Sequence, residues 1–156
     1  MRSSDQSRSL AYFSWSRLLV ILALACVGRT GLATLGAAPP TPADPPARVM
    51  AGYTVHENLL DNGTRVQEFV TPSGVVFAVA WRGPVLPDLR ALLGDYLIIF
   101  QRHTDAVRQG GLRGGPVNLV QEGLVLRSSG RMGDFSGYAY VPTLVPAGVN
   151  VHALLG

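Results

Sequence analysis

The side chains able to do chemistry are few and widely spaced. The three histidines, His56, His103 and His152, stand too far apart to share one helix face, and the chain has no His-Glu-x-x-His or Cys-x-x-Cys. A metal site would need three or four ligands converging from separate elements, so none is expected. His56 and Glu57 are neighbours, and neighbours on a strand point to opposite faces. Asp134-Phe135-Ser136-Gly137 lacks the first glycine of a nucleophile elbow. The glycine cluster from Gly110 to Gly115 lacks the Gly-Lys-Ser/Thr of a phosphate loop and reads as a hinge. No residue is therefore nominated as catalytic, and no cofactor is expected. Trp81-Arg82-Gly83-Pro84 stands out, because an aromatic ring and a guanidinium at a strand exit can form a binding spot. The plainer alternative makes Trp81 core and Arg82 a solvated strand end. Ile98, an apolar residue off the stripe of its helix, is the third binding candidate.

The N-terminus carries an address. Arg2, Arg8 and Arg17 precede Leu18–Val27 (LLVILALACV), an uncharged run followed by small residues. Gly31-Leu32-Ala33 fits the small-x-small pattern of a signal peptidase site, so residues 1–33 read as a signal peptide cut after Ala33. The run is about half the ~20 apolar residues a spanning helix needs, so no membrane span is expected in the mature chain. Cys26 ends Leu22-Ala23-Leu24-Ala25-Cys26, which keeps lipidation of Cys26 open as an alternative, although Ala23 stands where a lipoprotein signal usually has Leu.

Charge follows from that cut. Without Arg2, Arg8, Arg17, Arg29 and Asp5, the 13 basic and 10 acidic residues of the precursor become nine and nine. The net charge of +3 thus belongs to the leader and gives no argument for nucleic acid. Without Cys26 no disulfide can form, so an apolar core must hold the domain together.

These residues need elements to position them. Residues 34–50, rich in proline and alanine, read as a flexible tether with polyproline II character. Tyr53–Glu57 and Thr64–Val70 alternate as strands around Asp61-Asn62-Gly63, a hairpin turn signal. Thr71-Pro72-Ser73-Gly74 is a second turn. Val75–Trp81 (VVFAVAW) has no polar residue, as in a strand covered on both faces. Strict alternation sets Val75, Phe77, Val79 and Trp81 against the smaller Val76, Ala78 and Ala80. Pro87 and Asp88 mark a helix start. Leu89, Leu92, Leu93, Tyr96, Ile99 and Phe100 then form one helical stripe running through Gly94; a strand over Tyr96–Gln101 is the alternative. Leu124–Arg127 and Phe135–Val141 read as a second pair of strands, and Asn150 as the cap of a helix at Val151–Leu155.

From Tyr53 to Gly94 the chain resembles a family catalogued as domain of unknown function 2844. The resemblance rests on Tyr53-Thr54-Val55-His56-Glu57, Gly74 through Trp81, Gly83-Pro84, Pro87-Asp88-Leu89 and Leu92-Leu93-Gly94. Met132-Gly133, Phe135-Ser136-Gly137, Ala139-Tyr140 and Leu35-Gly36 extend it. It implies a small exported bacterial protein with a single domain, and it supplies no activity, ligand or catalytic residue.

The expected fold is α+β: an antiparallel sheet of about five strands, made of a three-strand meander and a two-strand hairpin, with one long helix packed on it over residues 51–156. The expected function is a non-enzymatic accessory protein, periplasmic or secreted, that binds an envelope or secreted protein partner. The alternatives are a lipid-anchored form of it through Cys26 and a small periplasmic hydrolase with a dispersed site such as His56, Glu68 and Asp88.

Overall fold

The computed structural model describes residues 32, 34–39, 48–111, 114–121 and 123–155. The apolar run, Cys26 and the cut at Ala33 lie outside the described residues. Seven strands form one antiparallel sheet: β1 (Arg48–Met50), β2 (Tyr53–Leu59), β3 (Arg65–Val70), β4 (Val76–Gly83), β5 (Val117–Gln121), β6 (Leu124–Arg131) and β7 (Asp134–Tyr140), in the order β1-β2-β3-β4-β7-β6-β5. The class is α+β. The two strands beyond the expected five are the edges. β1 is three exposed residues held by pairing with β2. In β5 only Leu119 is buried, so its own pattern is too weak to announce a strand.

Local chemistry sets the turns. Between β2 and β3 the Asn62 side chain accepts from the Thr64 amide at 3.0 Å, and the Gly63 amide reaches the Leu60 carbonyl at 2.9 Å. Thr71 closes the next turn twice, through its backbone and through its hydroxyl, which accepts from the Val75 amide at 3.0 Å. The β3–β4 register then shifts between Phe69 and Val70. This bulge overturns the strict alternation expected for β4. Val76 joins Val79 and Trp81 in one core cluster, while Phe77 joins Ala78 in the other. A bulge leaves two residues facing one, so alternation is lost there.

The helical layer covers one face. α1 (Leu89–Leu93) leads through a 3-10 turn at Gly94–Tyr96 into α2 (Leu97–Gln109), so Tyr96–Gln101 is helical and not a strand. Asp88 is the cap, its carboxylate accepting from the Arg90 amide at 2.8 Å. The helical run bends at Gly94, which has φ 51°. Residues 34–37, read from sequence as the start of a tether, pack against this point. The Leu35 amide donates to the Leu92 carbonyl at 2.9 Å, the Gly36 amide to Val76, and the Val76 amide back to Ala37. Leu35 is only 2% exposed, and a Cβ on Gly94 would overlap the Thr34 methyl. Residues 34–37 are thus built into the domain and 48–50 into the sheet, while 40–47 lie outside the described residues.

The opposite face has its own cluster. Tyr53, Phe69 and Phe77 pack with ring centroids 6.1 to 6.3 Å apart. Leu144, Val145, Val149, Leu154 and Leu155 cover them from the C-terminal segment. That segment ends in α3 (Val151–Leu155), where Asn150 accepts from the His152 and Ala153 amides at 3.1 and 3.2 Å. This cover extends over one end of the face. The other end holds the groove.

Candidate functional site

Register builds the groove. Arg65 on β3 pairs with Arg82 on β4, Arg82 with Ser136 on β7, and Ser136 with Ser129 on β6. One step along the same face, Gln67, Ala80, Tyr138, Arg127 and Asn118 form a second row across β3, β4, β7, β6 and β5. Residues two apart on a strand share a face, so the two rows lie side by side. They line a cavity of about 630 Å³, open to solvent, with Leu154 and Leu155 of α3 at one side. Trp81, Gly137 and Ser128, which sit between the rows on their strands, are also part of the lining. Ala80 contributes only a methyl group at the centre, which leaves room above the sheet.

The electrostatics are lopsided. Three arginines, Arg65, Arg82 and Arg127, line the groove, and its described lining contains no aspartate, glutamate or histidine. Arg65 is held at 2.6 Å by Glu57, whose other oxygen accepts from Gln67 at 3.1 Å. The Arg127 Nε donates to Asn118 at 3.2 Å, an interaction that fixes the guanidinium and leaves its charge uncompensated. The Arg82 side chain makes no hydrogen bond or ion pair among the described residues. It faces Arg65 directly across the strands, an arrangement that costs stability when both are charged.

Trp81 and Arg82 are divided between the two sides of the sheet. Trp81 is 3% exposed and its ring belongs to the helix-side core, while Arg82 is exposed on the groove face. The indole occupies space that a side chain at Gly137 would fill, and its buried N–H has no partner among the described residues. Ile98 lies on α2, half exposed, and is not part of the groove lining. His56 and Glu68 are register partners on β2 and β3, with Glu68 buried. Asp88 sits at the α1 cap. No group of three or more metal-ligating residues exists among the described residues.

Of the residues singled out from sequence as binding candidates, Trp81 and Arg82 belong to the groove lining, whereas Arg65, Arg127, Asn118, Ser129, Ser136 and Tyr138 were not nominated for binding. A signal for part of it existed. Leu124-Val125-Leu126-Arg127 alternates, which puts Arg127 on the face opposite Leu124 and Leu126. What no local pattern gives is the pairing that sets β6 beside β7 and β7 beside β4.

Fold and groove define an α+β domain with a helical layer on one side of an antiparallel sheet and a basic groove on the other. Residues 31–154 match the family described as protein of unknown function DUF2844, and the chain belongs to that family. No curated protein and no solved structure matches it. Among the described residues no helix is long and apolar enough to cross a membrane.

Proposed function

We propose that the protein is an exported, non-enzymatic accessory protein of the periplasm or the secreted fraction, and that it works by binding, with the groove as its binding face. The observation that carries this reading is the three-arginine lining without an acid or histidine among its described residues. Binding a polar partner needs fixed donors, which Arg127 and Gln67, held by Asn118 and Glu57, supply. General acid–base turnover needs a group that moves a proton near neutral pH, and arginine does not do so. Export rests on the leader pattern of residues 1–33. The small-hydrolase alternative draws support from the register of His56 with Glu68, on the face away from the groove. The lipid-anchored form through Cys26 differs from the leading reading in its attachment only.

Two measurements test the proposal. Pure protein is assayed against ester, phosphoester, peptide and glycoside substrates, and silence in every class is expected. Turnover that disappears in His56→Ala or Glu68→Gln would sink the binding reading in favour of the hydrolase. The intact mass of the protein recovered from the envelope and medium gives its N-terminus. A chain beginning at Thr34 is expected, and a diacylated chain beginning at Cys26 makes it a lipoprotein.

A further inference from the structure

The geometry points to one ligand class for the groove: a small amphiphile ending in an oxyanion, either a carboxylate or a phosphate monoester. This rests on the binding reading above and gives it a chemistry.

Size comes first. A cavity of about 630 Å³ lies inside the range of roughly 300–1,000 Å³ typical of small-molecule sites. It is too small to enclose a folded partner, and its open side admits one end of an elongated molecule.

The polar end is specified by charge and shape. The Arg82 guanidinium has no partner among the described residues and stands opposite Arg65, which Glu57 already pairs, so an anion at Arg82 would compensate the one of the two charges that the chain leaves open. A guanidinium presents parallel N–H groups that match two oxygens of a carboxylate or phosphate. Ser129 and Ser136 continue the Arg65–Arg82 row and offer hydroxyl donors to further oxygens. Arg127 arrives from the next row with its guanidinium already fixed by Asn118, which reduces the ordering needed on binding.

The apolar end is specified by what lies beside that row. Leu154 and Leu155 of α3 reach the lining, and Ala80 contributes only a methyl group between Gln67 and Tyr138. An oxyanion without an apolar body would leave this wall unused, and a neutral apolar molecule would leave the Arg82 and Arg127 charges uncompensated.

Titration calorimetry on the full-length mature protein tests the assignment with four probes: octanoate, octyl phosphate, octanol and octylammonium. Octanoate and octyl phosphate are expected to bind, with the tighter of the two naming the oxyanion. Octanol is expected at least about tenfold weaker, and octylammonium not at all. Arg82→Gln and Arg127→Gln are each expected to weaken the anions about tenfold or more, and raising the ionic strength should weaken them further. Arg108→Gln on α2, which removes an exposed arginine that is not part of the groove lining, should bind as wild type. Melting curves of the variants establish that they are folded. The inference is overturned if neither anion binds, if octanol matches octanoate, or if Arg82→Gln and Arg127→Gln both bind as wild type. Those outcomes leave the broader binding reading standing. Substrate turnover by the wild type overturns that reading separately.

Discussion

Leu35→Ala asks whether the segment just past the proposed cut is structural. Leu35 is 2% exposed and belongs to the helix-side core with Leu92, Leu93 and Val76. Truncating a leucine in such a position costs about 2–5 kcal/mol, made of lost transfer free energy and the cavity left behind. The backbone hydrogen bonds from Leu35 to Leu92 and from Gly36 to Val76 survive the substitution, so packing alone is probed. With a urea m-value of about 1.5 kcal/mol/M, a cost of ~3 kcal/mol lowers the unfolding midpoint by about 2 M. That is a large share of a total stability of roughly 5–15 kcal/mol. Leu59→Ala is the control, because Leu59 is 71% exposed and its loss should stay within about 0.5 kcal/mol. Urea unfolding followed by circular dichroism reads both, with the m-value checked for constancy. A Leu35→Ala midpoint within error of the Leu59→Ala midpoint would show that residues 34–37 do not dock, and the account of their packing at Gly94 would go with them.

Gly137→Ala should be among the most damaging small substitutions, because the added methyl would overlap the Trp81 indole and approach the Arg127 carbonyl oxygen to 2.5 Å. A loss of about 3 kcal/mol is expected in urea unfolding, and a smaller loss in a Trp81→Ala background would place the conflict at the indole. Asn150→Ala removes the cap that accepts from His152 and Ala153. Its cost of about 1 kcal/mol should appear as faster amide exchange confined to α3, and unchanged exchange there would refute the cap. Arg82→Glu places a carboxylate directly opposite Arg65. It should raise thermal stability by roughly 0.5–1 kcal/mol while abolishing oxyanion binding, and a destabilised variant would mean that Arg82 is structural.

Features set by short-range chemistry were legible in the sequence. Asn62-Gly63, Asp88 and Asn150 each act on backbone groups two or three residues away, and each does so in the structure. The polar-free run at β4 was readable as doubly buried for a similar reason, since both faces must then be covered. The bulge between Phe69 and Val70 was not, because it reflects a pairing with β4 and no residue there announces it. The docking of Leu35 was hidden by the prolines that follow it. Proline removes donors at its own position and says nothing about the Leu35 and Gly36 amides, which bond to α1 and β4. The groove was the least legible feature. Its rows join residues as distant in the chain as Arg65 and Ser136, and only the strand order places them on either side of Arg82.

The Arg65–Arg82 pair could not be removed by slipping the strands. A one-residue shift would send every side chain of β3 to the other face, exposing Val66 and burying Arg65. Val66 opposite Trp81 and Phe69 opposite Ala78 lock the register from two different cores, one on each side of the sheet. The repulsion can therefore be relieved only by substitution, by a carboxylate from the chain, or by an anion from outside. The chain takes the second course once, with Glu57 on Arg65, and leaves Arg82 without one among the described residues. A neutral residue at position 82 would keep the backbone pairing with β3 and β7, since the Arg82 side chain is exposed and makes no hydrogen bond or ion pair among the described residues. An uncompensated guanidinium at position 82, beside an arginine that Glu57 already pairs, is the feature on which the proposed anion site rests.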